Sequence, residues 1–264
     1  MYNWHFTLTG DRDSPPLLLL HGWMGSCEDY CEVIELLKSH FYCIAIDLPG
    51  HGKTQTHDET GYNFIDTARG IIQLLDDLNI EHCAIAGYSF GGRLTLYLAL
   101  EFSARFDRVI LESTSPGLAT ASDRQARIAN DRQIIDRLIT GDSIEFVNNW
   151  YRQPLFVGIE KHPNFLDLIH RRIATNRPIN LAKSLQYAGL GMQPYLGDRL
   201  KTATQPILLI AGELDFKFVT IGQNIERECP NIDFKIVPNC SHNIHFQQPQ
   251  TWLDLCFKSQ PQSF

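Results

Sequence analysis

The chain has 264 residues, of which 44% are apolar and 20% are charged, a composition typical of a globular protein rather than a disordered or fibrous one. Acidic side chains outnumber basic ones by 30 to 23, which gives a formal net charge of −7. No run of five or more basic residues occurs. The sequence therefore argues against a nucleic-acid partner.

Several other classes of protein are disfavoured. The longest aliphatic run, at residues 17–20, is far below the roughly 18 apolar residues that a membrane-spanning helix needs. The first residues show neither the basic nor the apolar region of a secretory signal. Seven scattered cysteines contain no CxxC pair, so we predict no metal site and no disulfide framework, and expect mostly buried thiols. We expect a cytoplasmic, monomeric protein without a membrane span.

Six strand-like runs alternate with segments of helical periodicity. They lie at residues 16–20, 41–46, 82–86, 108–111, 206–211 and 233–237. Several are continuously apolar, as parallel strands are when helices cover both faces of their sheet. This order predicts an α/β fold with a mostly parallel, doubly wound sheet.

The alternation stops after the fourth run. Residues 117–200 have helical periodicity without a convincing strand, so we predict a helical lid inserted into a core of residues 1–116 and 201–264. Residues 119–177 contain nine basic and seven acidic side chains. Solvated helix faces with pairs such as Arg127 with Asp131 explain this charge, and a cationic lid that attracts an anionic substrate is the alternative.

The most informative motif is Gly-Tyr-Ser-Phe-Gly-Gly at residues 87–92, which fits the pattern G-x-S-x-G. It lies directly between a predicted strand and a predicted helix. A nucleophile elbow needs such a sharp turn, with small residues that let the backbone crowd together behind the projecting serine. Ser89 is therefore the predicted catalytic serine.

A serine needs a histidine to take its proton and an acid to orient that histidine. Asp215 follows the strand at 206–211, and His242 follows the strand at 233–237, so both lie where the loops of such a sheet gather. We predict Asp215 as the acid and His242 as the base. Glu112, which also follows a strand, is the alternative acid, and His245 is the alternative base.

Two other interpretations of the histidine loop are weaker. His242 and His245 could bind a metal as an HxxH pair, but no third ligand is evident. Cys240 resembles a thiol nucleophile beside a histidine, yet it lies on the loop of the predicted base, and we expect a packed thiol.

The segment His-Gly-Trp at residues 21–23 follows the first predicted strand. Its glycine permits close backbone approach, so the amides of Trp23 and Phe90 are predicted to form an oxyanion hole. His51, in the turn Asp-Leu-Pro-Gly-His-Gly, is expected to be structural. No nucleotide-binding glycine motif occurs, so no cofactor is expected.

Together, these motifs resemble the α/β-hydrolase superfamily over essentially the whole chain. Residues 87–93, 123–131 and 149–154 further resemble the MenH family of 2-succinyl-6-hydroxy-2,4-cyclohexadiene-1-carboxylate synthases, which act in menaquinone and phylloquinone biosynthesis. The resemblance implies a lyase that expels pyruvate from a small tricarboxylate. It also implies that Tyr88, Arg93, Arg127 and Trp150 bind this substrate, with Ser89 acting as a base rather than as a nucleophile.

Two other functions use the same residues. A serine hydrolase of esters or carbon–carbon bonds would need the same three side chains and water in a second step. A ligand receptor on this fold would not need an intact Ser89, Asp215 and His242, so it is the less favoured alternative.

Overall fold

The computed structural model describes residues 2–258 and contains one seven-stranded β-sheet and a separate two-stranded ladder. The strands are β1 Tyr2–Asn3, β2 Phe6–Thr9, β3 Pro16–Leu20, β4 Tyr42–Ile46, β5 Gln55–Thr56, β6 Cys83–Tyr88, β7 Phe106–Glu112, β8 Ile207–Gly212 and β9 Ile232–Val237. Residues 259–264 of the predicted core lie outside the described residues.

The large sheet has the strand order β2-β4-β3-β6-β7-β8-β9. Its neighbouring strands pair in parallel except β2, which runs antiparallel to β4. The predicted α/β fold with a mostly parallel sheet is therefore confirmed, and each predicted strand overlaps an observed one. The sequence gives little sign of β2 because this short edge strand has no fully buried side chain.

Helices cover both faces of the sheet. The α-helices are α1 Cys31–Leu37, α2 Phe64–Asp77, α3 Phe90–Glu101, α4 Ala121–Thr140, α5 Ser143–Tyr151, α6 Phe165–Thr175, α7 Pro178–Ala188, α8 Gly197–Lys201, α9 Phe216–Glu228, α10 Ile244–Gln247 and α11 Pro249–Leu253. Helices α1 and α11 pack on one face, and α2 and α3 pack on the other. Among the described residues, no helix combines the length and apolar character needed to cross a bilayer.

Strand β3 explains why the predicted strands are continuously apolar. Leu17 and Leu19 point into the apolar cluster that contains α1, whereas Leu18 and Leu20 point into the cluster that contains α2 and α3. All four side chains are fully buried. Because both faces are covered, a polar residue in this strand would lose its hydration without gaining a partner.

Between β7 and β8, the chain forms five helices, α4 to α8, and no strand. Much of this segment packs in a third apolar cluster, to which the core contributes Met24 and Phe246. The segment's own members of the cluster include Leu138, Val147, Tyr151 and Leu168. The last helix crosses the predicted lid boundary at residue 200, because Leu200 packs in the main core. The name lid is used for residues 117–200 of this segment, which contain helices and loops but no strand.

A buried ion pair joins the lid to the core. Nη1 of Arg172, on α6, lies 2.5 Å from Oδ1 of Asp29, and both side chains are almost completely buried. Nε of Arg172 also donates to the hydroxyl of Tyr151, 2.9 Å away. The Asp29 carboxylate and the tyrosine oxygen thus satisfy a charge that would otherwise be costly to bury.

Glu112, the last residue of β7, anchors the C-terminal helices to the sheet. Its carboxylate accepts hydrogen bonds from the amides of Ile244 and His245, at 2.6 and 3.2 Å. It also accepts from His245 Nδ1 at 2.9 Å and from Trp252 Nε1 at 2.9 Å. One buried carboxylate therefore satisfies four donors from α10 and α11.

We predict that Glu112→Ala lowers the free energy of unfolding by about 3 kcal/mol or more, since it leaves these buried donors without an acceptor. Urea denaturation followed by circular dichroism measures the effect. Glu226→Ala is the matched control, because Glu226 is exposed and has no ion pair within residues 2–258. Equal unfolding midpoints for the two variants would contradict the anchoring role.

Candidate active site

Ser89 occupies a strained turn between β6 and α3. Its φ is 51° and its ψ is −105°, a combination that side chains rarely adopt. The turn is held by a hydrogen bond from the Ser89 amide to the Glu112 carbonyl oxygen, 2.8 Å away. A Cβ atom at Gly91 would collide with the carbonyl of Leu20, so a glycine is needed for α3 to approach β3. The predicted elbow geometry is present.

The three predicted catalytic side chains meet at the carboxyl ends of the strands. His242 Nε2 lies 2.9 Å from Ser89 Oγ, and His242 Nδ1 lies 2.5 Å from Asp215 Oδ2. Asp215 and His242 are both buried. An imidazole with its proton on Nδ1 donates to the aspartate and accepts the serine proton, which is the arrangement that general-base activation of a serine requires.

The lid also contacts the His242 loop. The His242 amide donates to the carbonyl of Leu155, 3.0 Å away, and the Phe156 ring packs edge-on against the imidazole. Phe218 packs on the imidazole from α9, with ring centroids 4.7 Å apart. His242 is thus held by the lid and the core together.

The alternative acid and base form a pair of their own. Glu112 binds His245, whose ring stacks on Tyr30 with centroids 4.5 Å apart. Because His242 and His245 bind different carboxylates, they do not converge as an HxxH metal pair. Cys240 is fully buried, and burial raises the pKa of its thiol to about 12, as expected for a packed thiol.

The two amides predicted to form an oxyanion hole are free. Neither the Trp23 nor the Phe90 amide donates a hydrogen bond to any residue in the described part of the chain. Both residues line the same cavity as Ser89. Helix α3 begins at Phe90, so its first amides have no helical acceptor and favour negative charge nearby.

The cavity at Ser89 has a volume of about 110 Å³ and is bounded by core and lid. It is lined by Trp23, Ser89, Phe90, Arg93, Thr114, Ser115, Arg127, Trp150, Leu185, Leu190, Lys217 and Phe218. Three of the predicted substrate-binding residues, Arg93, Arg127 and Trp150, are therefore brought to the serine.

Arg93 is buried and forms no ion pair with a carboxylate among residues 2–258. Its guanidinium donates to Gln193 Oε1 at 2.8 Å and to the Ala188 carbonyl at 3.3 Å, and it lies over the Phe64 and Phe90 rings. Burial and the Arg127 guanidinium lower the pKa of Arg93 to about 9, so the group stays cationic at neutral pH. Neutral acceptors orient this cation but leave its charge available to an anion.

Arg127 and its neighbour Asp131 form the pair that the sequence suggested. Arg127 Nε lies 2.7 Å from Asp131 Oδ1, and burial raises the pKa of that aspartate despite the nearby cation. The terminal amino groups of Arg127 have no partner among residues 2–258, so they remain free toward the cavity. Arg132, also on α4, forms no ion pair with Asp136.

The two predicted aromatic residues occupy different places. Trp150, on α5, lines the cavity and packs on Trp23 with centroids 4.6 Å apart. Tyr88 is buried beneath the triad, against the rings of His242 and His245, and is not part of the cavity lining. His51 is likewise packed under Phe90, with centroids 5.5 Å apart.

Sequence analysis missed two residues of the site. Lys217 lines the cavity two positions after Asp215, and Thr114 donates from Oγ1 to the Ser89 carbonyl at 3.1 Å. The signal that could have revealed Lys217 is its position at the start of α9, two residues after Asp215.

Elsewhere, the side chains of His5, Cys27 and Asp47 meet with atom types that could bind a metal. The Asp47 carboxylate already accepts from His5 Nδ1 and from the amides of Cys27 and Lys53, at 2.7 to 2.8 Å. Burial raises the pKa of the Cys27 thiol far above its usual value. The hydrogen bonds to the Asp47 carboxylate therefore account for why these three side chains lie together.

Comparisons with known proteins agree with this geometry. The profile of the alpha/beta hydrolase fold matches residues 15–249. A protein of Bacillus subtilis named putative 2-succinyl-6-hydroxy-2,4-cyclohexadiene-1-carboxylate synthase is 33% identical over 91% of this chain and 88% of its own. The synthase of Serratia proteamaculans is 31% identical over 92% of both chains.

A solved structure of MenH from S. aureus covers 94% of each chain, with a TM-score of 0.85 and 32% identity. The two chains are therefore similar in both fold and sequence along nearly their whole length. The protein therefore belongs to the α/β-hydrolase superfamily and, within it, to the MenH family of 2-succinyl-6-hydroxy-2,4-cyclohexadiene-1-carboxylate synthases.

Proposed function

We propose that this protein is a carbon–oxygen lyase that eliminates pyruvate from 2-succinyl-5-enolpyruvyl-6-hydroxy-3-cyclohexene-1-carboxylate. The product is 2-succinyl-6-hydroxy-2,4-cyclohexadiene-1-carboxylate, the compound named in the relatives of this chain and part of menaquinone or phylloquinone biosynthesis. The observation that carries the proposal is the buried, carboxylate-free guanidinium of Arg93 in the same cavity as Ser89. A substrate with three carboxylates needs such cations, whereas a neutral ester does not.

In the proposed mechanism, His242 Nε2 takes the proton of Ser89 Oγ, and Asp215 stabilises the resulting imidazolium. The serine oxygen then removes a ring proton from the substrate. The electron pair of that C–H bond moves onto the succinyl ketone as an enolate. As this pair returns, it forms a double bond to the neighbouring ring carbon, the existing ring double bond shifts by one position, and the C–O bond to the enolpyruvyl group breaks. The departing enolpyruvate gains the proton held by the His242 imidazolium and becomes pyruvate. No acyl-enzyme forms, so no water is needed for a second step.

Deprotonation places negative charge on the ketone oxygen of the succinyl arm. The amides of Trp23 and Phe90 are the donors proposed to stabilise that oxygen, since neither donates to an acceptor among residues 2–258. We propose that Arg93 and Arg127 bind carboxylates and that Trp150 forms a wall of the site. Residues 117–200 are proposed as its lid, and the enzyme as a cytoplasmic monomer.

Supplying the enolpyruvyl substrate and measuring pyruvate release tests the proposal directly. Sustained pyruvate formation, exceeding turnover of p-nitrophenyl esters, is the expected result. Ester or carbon–carbon bond hydrolysis that exceeds pyruvate release would favour the serine-hydrolase alternative. Ligand binding without turnover would favour a receptor.

We predict that Ser89→Ala, Asp215→Asn and His242→Ala each lower kcat for pyruvate release by about 1,000-fold or more, because the three groups act as a unit. Circular dichroism spectra should remain native. His245→Ala, assayed as refolded protein of native spectrum, should be much milder, since His245 does not contact Ser89. A folded variant of Ser89, Asp215 or His242 that keeps near-native kcat would remove that residue from the mechanism.

We also predict that Arg93→Ala and Arg127→Ala each lower kcat/KM for the tricarboxylate by about 10- to 150-fold, the cost of one charge-assisted contact. Turnover of a small neutral ester, where detectable, should change little. Lysine should restore only part of the loss, because an ammonium lacks the planar fork of a guanidinium.

Arg132→Ala is the control on the same helix, since its side chain is exposed and does not line the Ser89 cavity. Steady-state kinetics on both substrate classes decide the outcome. Equal losses on the tricarboxylate and the ester, or no loss on either, would show that Arg93 and Arg127 are structural.

A further inference from the structure

A second cavity adjoins the one at Ser89. It has a volume of about 370 Å³ and lies between the loop after β7, helix α8 and helix α9. The two cavities share four lining residues, which are Ser115, Leu190, Lys217 and Phe218. The two cavities therefore lie side by side, with these residues at their junction.

The Ser89 cavity alone is too small for the proposed substrate. Sites that enclose ligands of comparable size measure about 300–1,000 Å³, whereas this cavity measures about 110 Å³. The adjoining cavity, at about 370 Å³, is itself within that range. Its walls are largely apolar and include Leu118, Tyr195, Ile221 and Ile225.

Lys217 lies where the two cavities meet. Its side chain reaches solvent at the rim, and no carboxylate within residues 2–258 lies within ion-pair distance of its ammonium group. Lys201, the other lysine of the adjoining cavity, is instead neutralised by Glu228, with Nζ and Oε2 2.9 Å apart. Lys217 is thus the cation of this cavity that is free to bind an anion.

The charge environment of Lys217 also favours an anionic ligand. Partial desolvation of its ammonium and repulsion from Arg127 lower the pKa of Lys217, while Asp215 opposes this shift. Asp215 is already hydrogen-bonded to His242. A carboxylate of the ligand would therefore provide the negative charge that no ion-paired side chain among residues 2–258 provides for Lys217.

We propose that the substrate occupies both cavities, with its succinyl arm in the adjoining cavity and the terminal carboxylate of that arm bound by Lys217. The assignment rests on the proposed function. The succinyl arm has two methylene groups followed by a carboxylate. The adjoining cavity offers the matching features, which are apolar walls and the ammonium group of Lys217 at the rim. Arg93 and Arg127 then remain for the other two carboxylates.

Calorimetric titration with 4-oxo-4-phenylbutanoate tests the assignment without turnover, because this aryl ketone carries a succinyl arm and a single carboxylate. Its methyl ester is the neutral counterpart. The wild-type protein should bind the acid about 10-fold or more tightly than the ester, as a charge-assisted contact implies. Lys217→Met should abolish this preference, and Lys217→Arg should retain part of it.

Lys38→Met is the matched control, since Lys38 is exposed and paired only with Glu35 on the surface. It should keep the wild-type preference. Ile221→Trp, which fills the adjoining cavity, should weaken acid and ester alike, whereas Leu166→Trp on the exposed surface should weaken neither.

Kinetics provide the second measurement. Lys217→Met should raise KM for the enolpyruvyl substrate about 10-fold while changing kcat less than about 3-fold, because the contact is present before and during the reaction. Inhibition by pyruvate, which lacks the arm, should be unchanged.

Different results would overturn the lyase function and the succinyl-arm assignment. An acid preference that persists in Lys217→Met, or is absent from the wild type, overturns the succinyl-arm assignment even if the wild-type enzyme releases pyruvate. A preference that depends on Lys217 in a protein that releases no pyruvate would leave the cavity assignment standing and overturn the lyase function.

Discussion

The strained turn at Ser89 is the constraint on which the site depends. A non-glycine residue with positive φ in such a turn costs about 1–3 kcal/mol, and Ser89 has a φ of 51°. The turn persists because β6 pairs with β3 on one side and β7 on the other, while α3 begins at the next residue. The same packing that strains the serine directs its hydroxyl to His242 and leaves the Phe90 amide free.

Two neighbouring parallel strands then supply carboxylates to histidines on one C-terminal segment. Glu112, at the end of β7, binds His245, and Asp215, just after β8, binds His242. Only His242 reaches Ser89. The Glu112 contact holds the start of α10 against the sheet, so the loop that carries His242 is fixed from its far end. The Asp215–His242 pair is the one proposed to act in catalysis, and the Glu112–His245 pair helps to hold it in place.

The sequence was sufficient to predict the features that only certain residue types can form. Doubly buried strands require apolar runs, and a nucleophile turn requires small residues around Ser89, so the sheet and the serine were both predictable. The histidine that binds Glu112 was not predictable from the sequence. Two acids, Glu112 and Asp215, and two histidines, His242 and His245, follow strands, and only packing decides how they pair. The closeness of Lys217 to Asp215 in the sequence is a signal of proximity to the site, but its place at the junction of two cavities depends on how α9 packs against the rest of the chain.

The two buried arginines show how the protein separates stability from binding. Arg172 is neutralised by Asp29, so its charge is used within the protein to attach the lid to the core. Arg93 is held by a carbonyl and an amide oxygen, which fix its direction without neutralising it. An unneutralised buried cation is costly, and the carboxylate proposed to bind Arg93 would remove that cost. Because the protein as a whole carries a net charge of −7, the cationic Arg93 beside Ser89 is a local departure from that charge, in keeping with the anionic substrate proposed above.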